Sequence, residues 1–161
     1  MRSGQWAVIA LLVSAAAVGG GIWYAQQYGF YKPIDAQSDR AGVMIVGRAD
    51  GAPRPLPVRD FHGVDAGSSP IRYRSCFVTD VPAEGEAMPY PDPTPLVAPG
   101  WFHCFDAGQL TADLASGAAV AYLSASDIRP DVDRVVAIYP DGRAFAWHQY
   151  NQKTPDRGVM D

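Results

Sequence analysis

The chain has 161 residues and a formal net charge of −4, and it carries no internal repeat and no heptad run. Residues beyond the first thirty hold all 17 acidic side chains and 12 of the 13 basic ones, a formal charge of −5. A mildly acidic part of this size excludes a basic nucleic-acid surface and a polybasic membrane contact, and its length allows one domain, not two.

No charged side chain occurs between Arg2 and Lys32, and residues 6–25 read WAVIALLVSAAAVGGGIWYA. About twenty helical residues, each rising 1.5 Å, match the roughly 30 Å hydrocarbon core of a bilayer. Trp6 at one end and Trp23 with Tyr24 at the other supply the aromatic belts of a spanning helix. Gly19, Gly20 and Gly21 weaken a helix in water but are tolerated in lipid. A secretory signal cleaved near Ala15-Ala16-Ala17 is the rival reading; the single arginine ahead of the run and its continuation to Tyr24 favour an uncleaved anchor. Arg2 favours a cytoplasmic N-terminus and a domain on the periplasmic side of the inner membrane, although Lys32 and Arg40 flank the other end. Small residues recur four apart, Ala15 with Gly19, Ala16 with Gly20 and Ala17 with Gly21, which marks a face for close helix docking in an integral membrane partner. Small residues are also simply common in spanning helices.

The expected domains are an anchor at 1–30, a tether at 31–41, a soluble domain at 42–152 and a polar tail at 153–161. Within the domain, residues 43–46 read as a strand and Asp50-Gly51 as a tight turn. Pro53, Pro55 and Pro57 make the return segment an edge strand or a polyproline stretch. Residues 61–70 read as a loop and residues 71–79 as a strand with Ile71, Tyr73 and Phe77 on one face and Arg72, Arg74 and Cys76 on the other. Six prolines within residues 81–99 predict a long loop, either functional or a mobile flap. Asp106 is the expected N-cap of a short helix through Leu110 and Leu114, stopped at Gly117. A small-residue strand at 118–123 and a turn at 126–133 follow. Residues 134–139 and 143–150 form a hairpin about Pro140-Asp141-Gly142. The fold class is therefore α+β: a single N-terminal transmembrane helix, then a small antiparallel sheet of four to six strands with one short helix.

Three stretches, FHGVDAGSSPIRYRSCF, APGWFHCFDAG and DRVVAIYPDGRAFAWHQ, occur in that order behind the apolar run. In these the chain resembles an uncharacterised alphaproteobacterial family of single-span membrane proteins, a domain of unknown function some of whose members carry a histidine kinase label. The resemblance implies an N-terminal anchor and an outside domain, and no activity. The kinase label has no support in the residues, which contain neither a Gly-rich nucleotide loop nor a dimerising helical hairpin with a phosphoacceptor histidine.

Cys76 and Cys104 form the expected disulfide of an oxidising compartment, tying a strand to the entry of the helix. A redox pair, a metal site or two unbonded thiols are the alternatives, but there is no C-x-x-C, and His103 next to Cys104 points to the opposite face of an extended chain. His62 reads as a loop residue and His148 as a hydrogen-bonded structural histidine. Asp127, Asp131 and Asp133 read as solvated turn acids, since the glycine and terminal glutamate of a calcium loop are missing. Arg72, Arg74, Trp101, Trp147 and His148 are the candidate partner surface. No catalytic set, cofactor or metal is read. The expectation is a non-enzymatic accessory subunit or assembly factor of a membrane complex; a membrane-anchored thiol-redox or metal-handling protein acting through Cys76 and Cys104 is the alternative.

Overall fold

The computed structural model describes residues 3–153. Helix α1 runs Ser3–Tyr24 and continues as one π-helical turn, Ala25–Gly29. No residue of this helix is buried against the rest of the chain, and it is long and apolar enough to cross a membrane. Arg2, the basis of the orientation expected from the sequence, lies outside the described residues, as does the tail beyond Lys153.

Pro33 ends the helical path, because the residue before a proline is pushed into extended conformation. Lys32–Pro33 is strand β1, paired antiparallel with residues 64–65. The expected tether is therefore partly built into the sheet: Lys32 pairs with Asp65, and Ala41 is buried. A proline is acceptable here because β1 is an edge strand.

Strands β2 (Met44–Val46) and β3 (Pro53–Pro55) make a two-stranded sheet in which Pro53 and Pro55 lie on the outer strand, as expected. The main sheet has the order β1-β4-β5-β8-β7-β6, all antiparallel, with β4 Arg59–Asp65, β5 Arg74–Val78, β6 Val120–Arg129, β7 Val132–Ile138 and β8 Arg143–Tyr150. Helix α2 (Ala107–Ser116) has Asp106 as N-cap, its carboxylate accepting from Gln109 N at 3.0 Å, and Gly117 at φ 78° as its left-handed stop. The hairpin β7–β8 turns through Gly142 at φ 86°, where an added Cβ would stand 2.6 Å from Thr79 O.

Two assignments from the sequence are corrected. Residues 61–65 are strand, not loop: β4 pairs with β5 on one side and β1 on the other, and that pairing overrides the turn-like composition. Residues 126–129 continue β6 across register shifts, with Asp127 at φ 48°, and the turn is confined to Pro130 and Asp131.

Both faces of the sheet are covered. One carries Cys76, Val135, Ala137 and Trp147 under Phe105, Leu110 and α2. The other carries Tyr73, Phe77, Val136 and Ile138 under Val43 and Ile45. The proline-rich segment is packed, not a free flap. Its first half stitches the two sheets together: Met88 N donates to Val46 O, and Tyr90 N to Ala121 O. Its second half is clamped by side chains of the sheet. Thr94 N donates to Gln149 Oε1 at 2.8 Å, and Tyr90 Oη to Asp133 Oδ2 at 3.1 Å.

Candidate functional site

Cys76 and Cys104 are bonded, with their Cα atoms 6.3 Å apart. Cys76 is buried in β5, whereas Cys104 is exposed just before the N-cap of α2. The bond thus fixes the end of the strap and the start of the helix to an inner strand. His62 is the cross-strand neighbour of Cys76. Among the described residues no group of three or more His, Cys, Asp or Glu side chains has metal-binding geometry.

The candidate partner surface is divided by the fold. Trp147 is fully buried, donating Nε1 to Gln149 Oε1 at 2.9 Å, and Arg74 and His148 are buried as well. The three face inward because both sides of the sheet are covered, which alternation along one strand does not reveal. Arg74 pairs with carbonyls rather than acids: Nε donates to Leu96 O at 2.6 Å, and Nη1 to Ile71 O at 2.8 Å and Tyr73 O at 2.6 Å. Burial pulls its pKa down to about 10, which leaves it charged at neutral pH.

Arg72 and Trp101 stay near the surface, and both meet the exit of the helix. Arg72 lies over the rings of Phe30 and Tyr31, 5.9 and 5.5 Å from their centroids. Trp101 Nε1 donates to Gln27 O at 2.6 Å, and Gly100 N donates to Gln27 Oε1 at 3.2 Å. Val97, 79% exposed, is on the same loop. Ala15, Ala16, Ala17, Gly19, Gly20 and Gly21 are all exposed on α1, with open space beside each of the three glycines.

A second constellation sits at the other side of β8. Arg134 and His148 are direct partners across β7–β8, so their side chains emerge side by side on one face. Arg134 Nε donates to His148 Nε2 at 3.0 Å. His148 Nδ1 lies 2.8 Å from Pro70 O, which only accepts, so Nδ1 carries the proton and the imidazole is neutral. Burial first, and then the charge of Arg134, push its pKa down to about 3. The imidazole stacks on Tyr73 at 4.6 Å, and the Arg134 guanidinium lies over the same Tyr73 ring at 4.3 Å. Arg134, His148 and Pro70 border a groove of about 630 Å³ that Arg40, Asp65, Arg129 and Tyr150 also line. Of this set only His148 stands out in the sequence as a candidate site residue. Counting back from the Asp141-Gly142 turn pairs it with Arg134, the signal that identifies the partner.

The turn acids also differ from expectation. Asp133 is buried, accepting from Asp127 N at 2.9 Å, Asn151 Nδ2 at 3.1 Å and Tyr90 Oη. Asp127 is exposed and pairs with Lys153, which holds its carboxyl below the usual range. Asp133 is thus a structural anchor for β6 and the strap.

Comparison with known proteins agrees with the resemblance in the three quoted stretches. No curated protein and no solved structure matches the chain. Residues 43–157, nearly the whole domain behind the helix, match the family of unknown function DUF6446, and the chain belongs to that family.

Proposed function

We propose that the protein is a single-pass inner-membrane protein with a cytoplasmic N-terminus and a periplasmic domain, and that it acts as a non-enzymatic accessory subunit or assembly factor of a membrane complex. The observation that carries this reading is α1 itself: 22 residues, none buried against the chain, with the Ala and Gly steps exposed on its surface. Such a face lets a second helix approach closely in lipid. The expected disulfide and its occurrence between Cys76 and Cys104 agree with an oxidising side for the domain. The test is purification of tagged protein in mild detergent, comparing wild type with Ala16→Leu/Gly20→Leu. A defined membrane complex that is lost in the double variant supports the proposal. Recovery of the monomer alone, or a processed N-terminus that lacks α1, overturns it.

A second reading keeps thiol chemistry open, because Cys104 is exposed and so reachable by an external thiolate. It predicts a mixed disulfide trapped on Cys104 in a Cys76→Ser variant in cells; absence of any adduct removes it.

A further inference from the structure

We propose that the groove beside Arg134 and His148 is a binding site for a small anion carrying carboxylate or phosphate groups. The argument starts from the charge on Arg134. Its guanidinium is half-buried, yet its hydrogen-bond and ring partners among the described residues are neutral: His148 Nε2, the Gly42 carbonyl at 3.4 Å and the face of Tyr73. Among the described residues no carboxylate pairs with it, and none pairs with Arg129 across the groove. A partly desolvated guanidinium ordinarily takes a carboxylate or phosphate, to which its planar fork is matched.

The neutral surroundings orient Arg134 without satisfying it. His148 uses its Nδ1 proton on Pro70 O and offers its remaining lone pair to Arg134 Nε. Tyr73 holds the guanidinium plane from beneath. The outer nitrogen edge is therefore set in place before any ligand arrives.

The charge balance of the groove points the same way. Among the described residues that line it, Arg40, Arg129 and Arg134 face a single carboxylate, Asp65, which Arg40 already engages. With His148 neutral, this leaves an excess of two positive charges in a protein whose overall charge is negative. A concave patch of one sign concentrates oppositely charged solutes. Ile128, Pro130 and Tyr150 add apolar walls, and about 630 Å³ is within the range of small-molecule sites.

The experiment is calorimetric titration of the full chain in detergent with citrate and, separately, inorganic phosphate, at constant ionic strength set with chloride. Wild type should bind at least one of them with a Kd below about 1 mM. Arg134→Gln should weaken binding at least tenfold, and the exposed Arg129→Gln several-fold. Citrate alone assigns a carboxylate ligand and phosphate alone a phosphoryl ligand. If neither binds, or if Arg129→Gln and a folded Arg134→Gln both bind as wild type does, the proposal fails. Should Arg134→Gln not fold, Arg129→Gln carries the test by itself.

Discussion

The indole of Trp101 donates to the main-chain oxygen of Gln27, 74 residues away in sequence and two residues past Ala25, where the apolar run ends. This bond, with Gly100 N on the Gln27 side chain, fixes the loop at 97–101 against the turn that follows α1. Trp101→Phe keeps the ring but removes the donor. A neutral hydrogen bond contributes about 1 kcal/mol, roughly a five-fold change in an opening equilibrium. Amide exchange at residues 27–31 should speed by about that factor, with β7 and β8 unchanged. Equal rates in both proteins would mean that the domain is not held at the helix exit.

Removal of the disulfide should destabilise the domain without changing its fold. The sequence separation of 28 between Cys76 and Cys104 corresponds to about 3.5 kcal/mol in the chain-entropy description. In Cys76→Ser/Cys104→Ser the urea midpoint should fall by that amount divided by the slope, with the slope itself increased or unchanged. Because Cys104 is exposed, dithiothreitol should produce the same shift in the folded wild type.

Arg74 is the clamp that holds the proline-rich strap to β5. Arg74→Met retains much of the aliphatic stem but removes the guanidinium, which lies over Phe105, and strands the carbonyl of Leu96 and those of Ile71 and Tyr73. Losing hydrogen bonds to a charged group of this kind costs about 1.5–3 kcal/mol. The first visible effect should be proteolytic cleavage within residues 91–99, at protease levels that leave wild type intact. Cleavage at the same rate in both would show that Gln149 and the disulfide suffice.

His148 gives the domain an acid-sensitive component. Its folded pKa of about 3 lies below the ordinary 6.5. Between those values the unfolded chain binds a proton that the native state does not. Stability therefore rises with pH across the window and is lost on acidification, by at most about 1.4 kcal/mol per pH unit from this group. Thermal melts from pH 7 to pH 4 should show a steeper fall for wild type than for His148→Gln. Parallel curves would mean that the imidazole protonates freely in the native state.

The parts of the fold written in local chemistry could be read from the sequence. Asp106 and Gly117 bracket α2 because capping and a left-handed stop depend on residues adjacent in the chain. The β7–β8 hairpin was legible from Pro140-Asp141-Gly142 for the same reason. Strand β4 was not, since Gly63 and Asp65 look like loop residues until β1 and β5 pair with them. The extent of β6 was hidden by Asp127, whose positive φ accommodates a register shift within the strand. The burial of Trp147 and Arg74 is not legible from periodicity, because their strands are covered on both sides, a property of layers. His148 is legible as a structural histidine and the turn register pairs it with Arg134, but an arginine on a strand gives no sign of lacking an acid.

The pairing at the sheet borders limits how a partner can engage this domain. Strand β1 is two residues long and contains Pro33, and the outer strand of the small sheet alternates Pro53 and Pro55. Residues 88–90 already occupy part of the free side of β6 and of β2 through Tyr90 N to Ala121 O and Met88 N to Val46 O. These borders offer little main chain for an incoming peptide to pair with, so fibrous self-association and recognition by strand addition are both disfavoured. A partner is therefore better met through side-chain surfaces of the domain or through the exposed apolar face of α1.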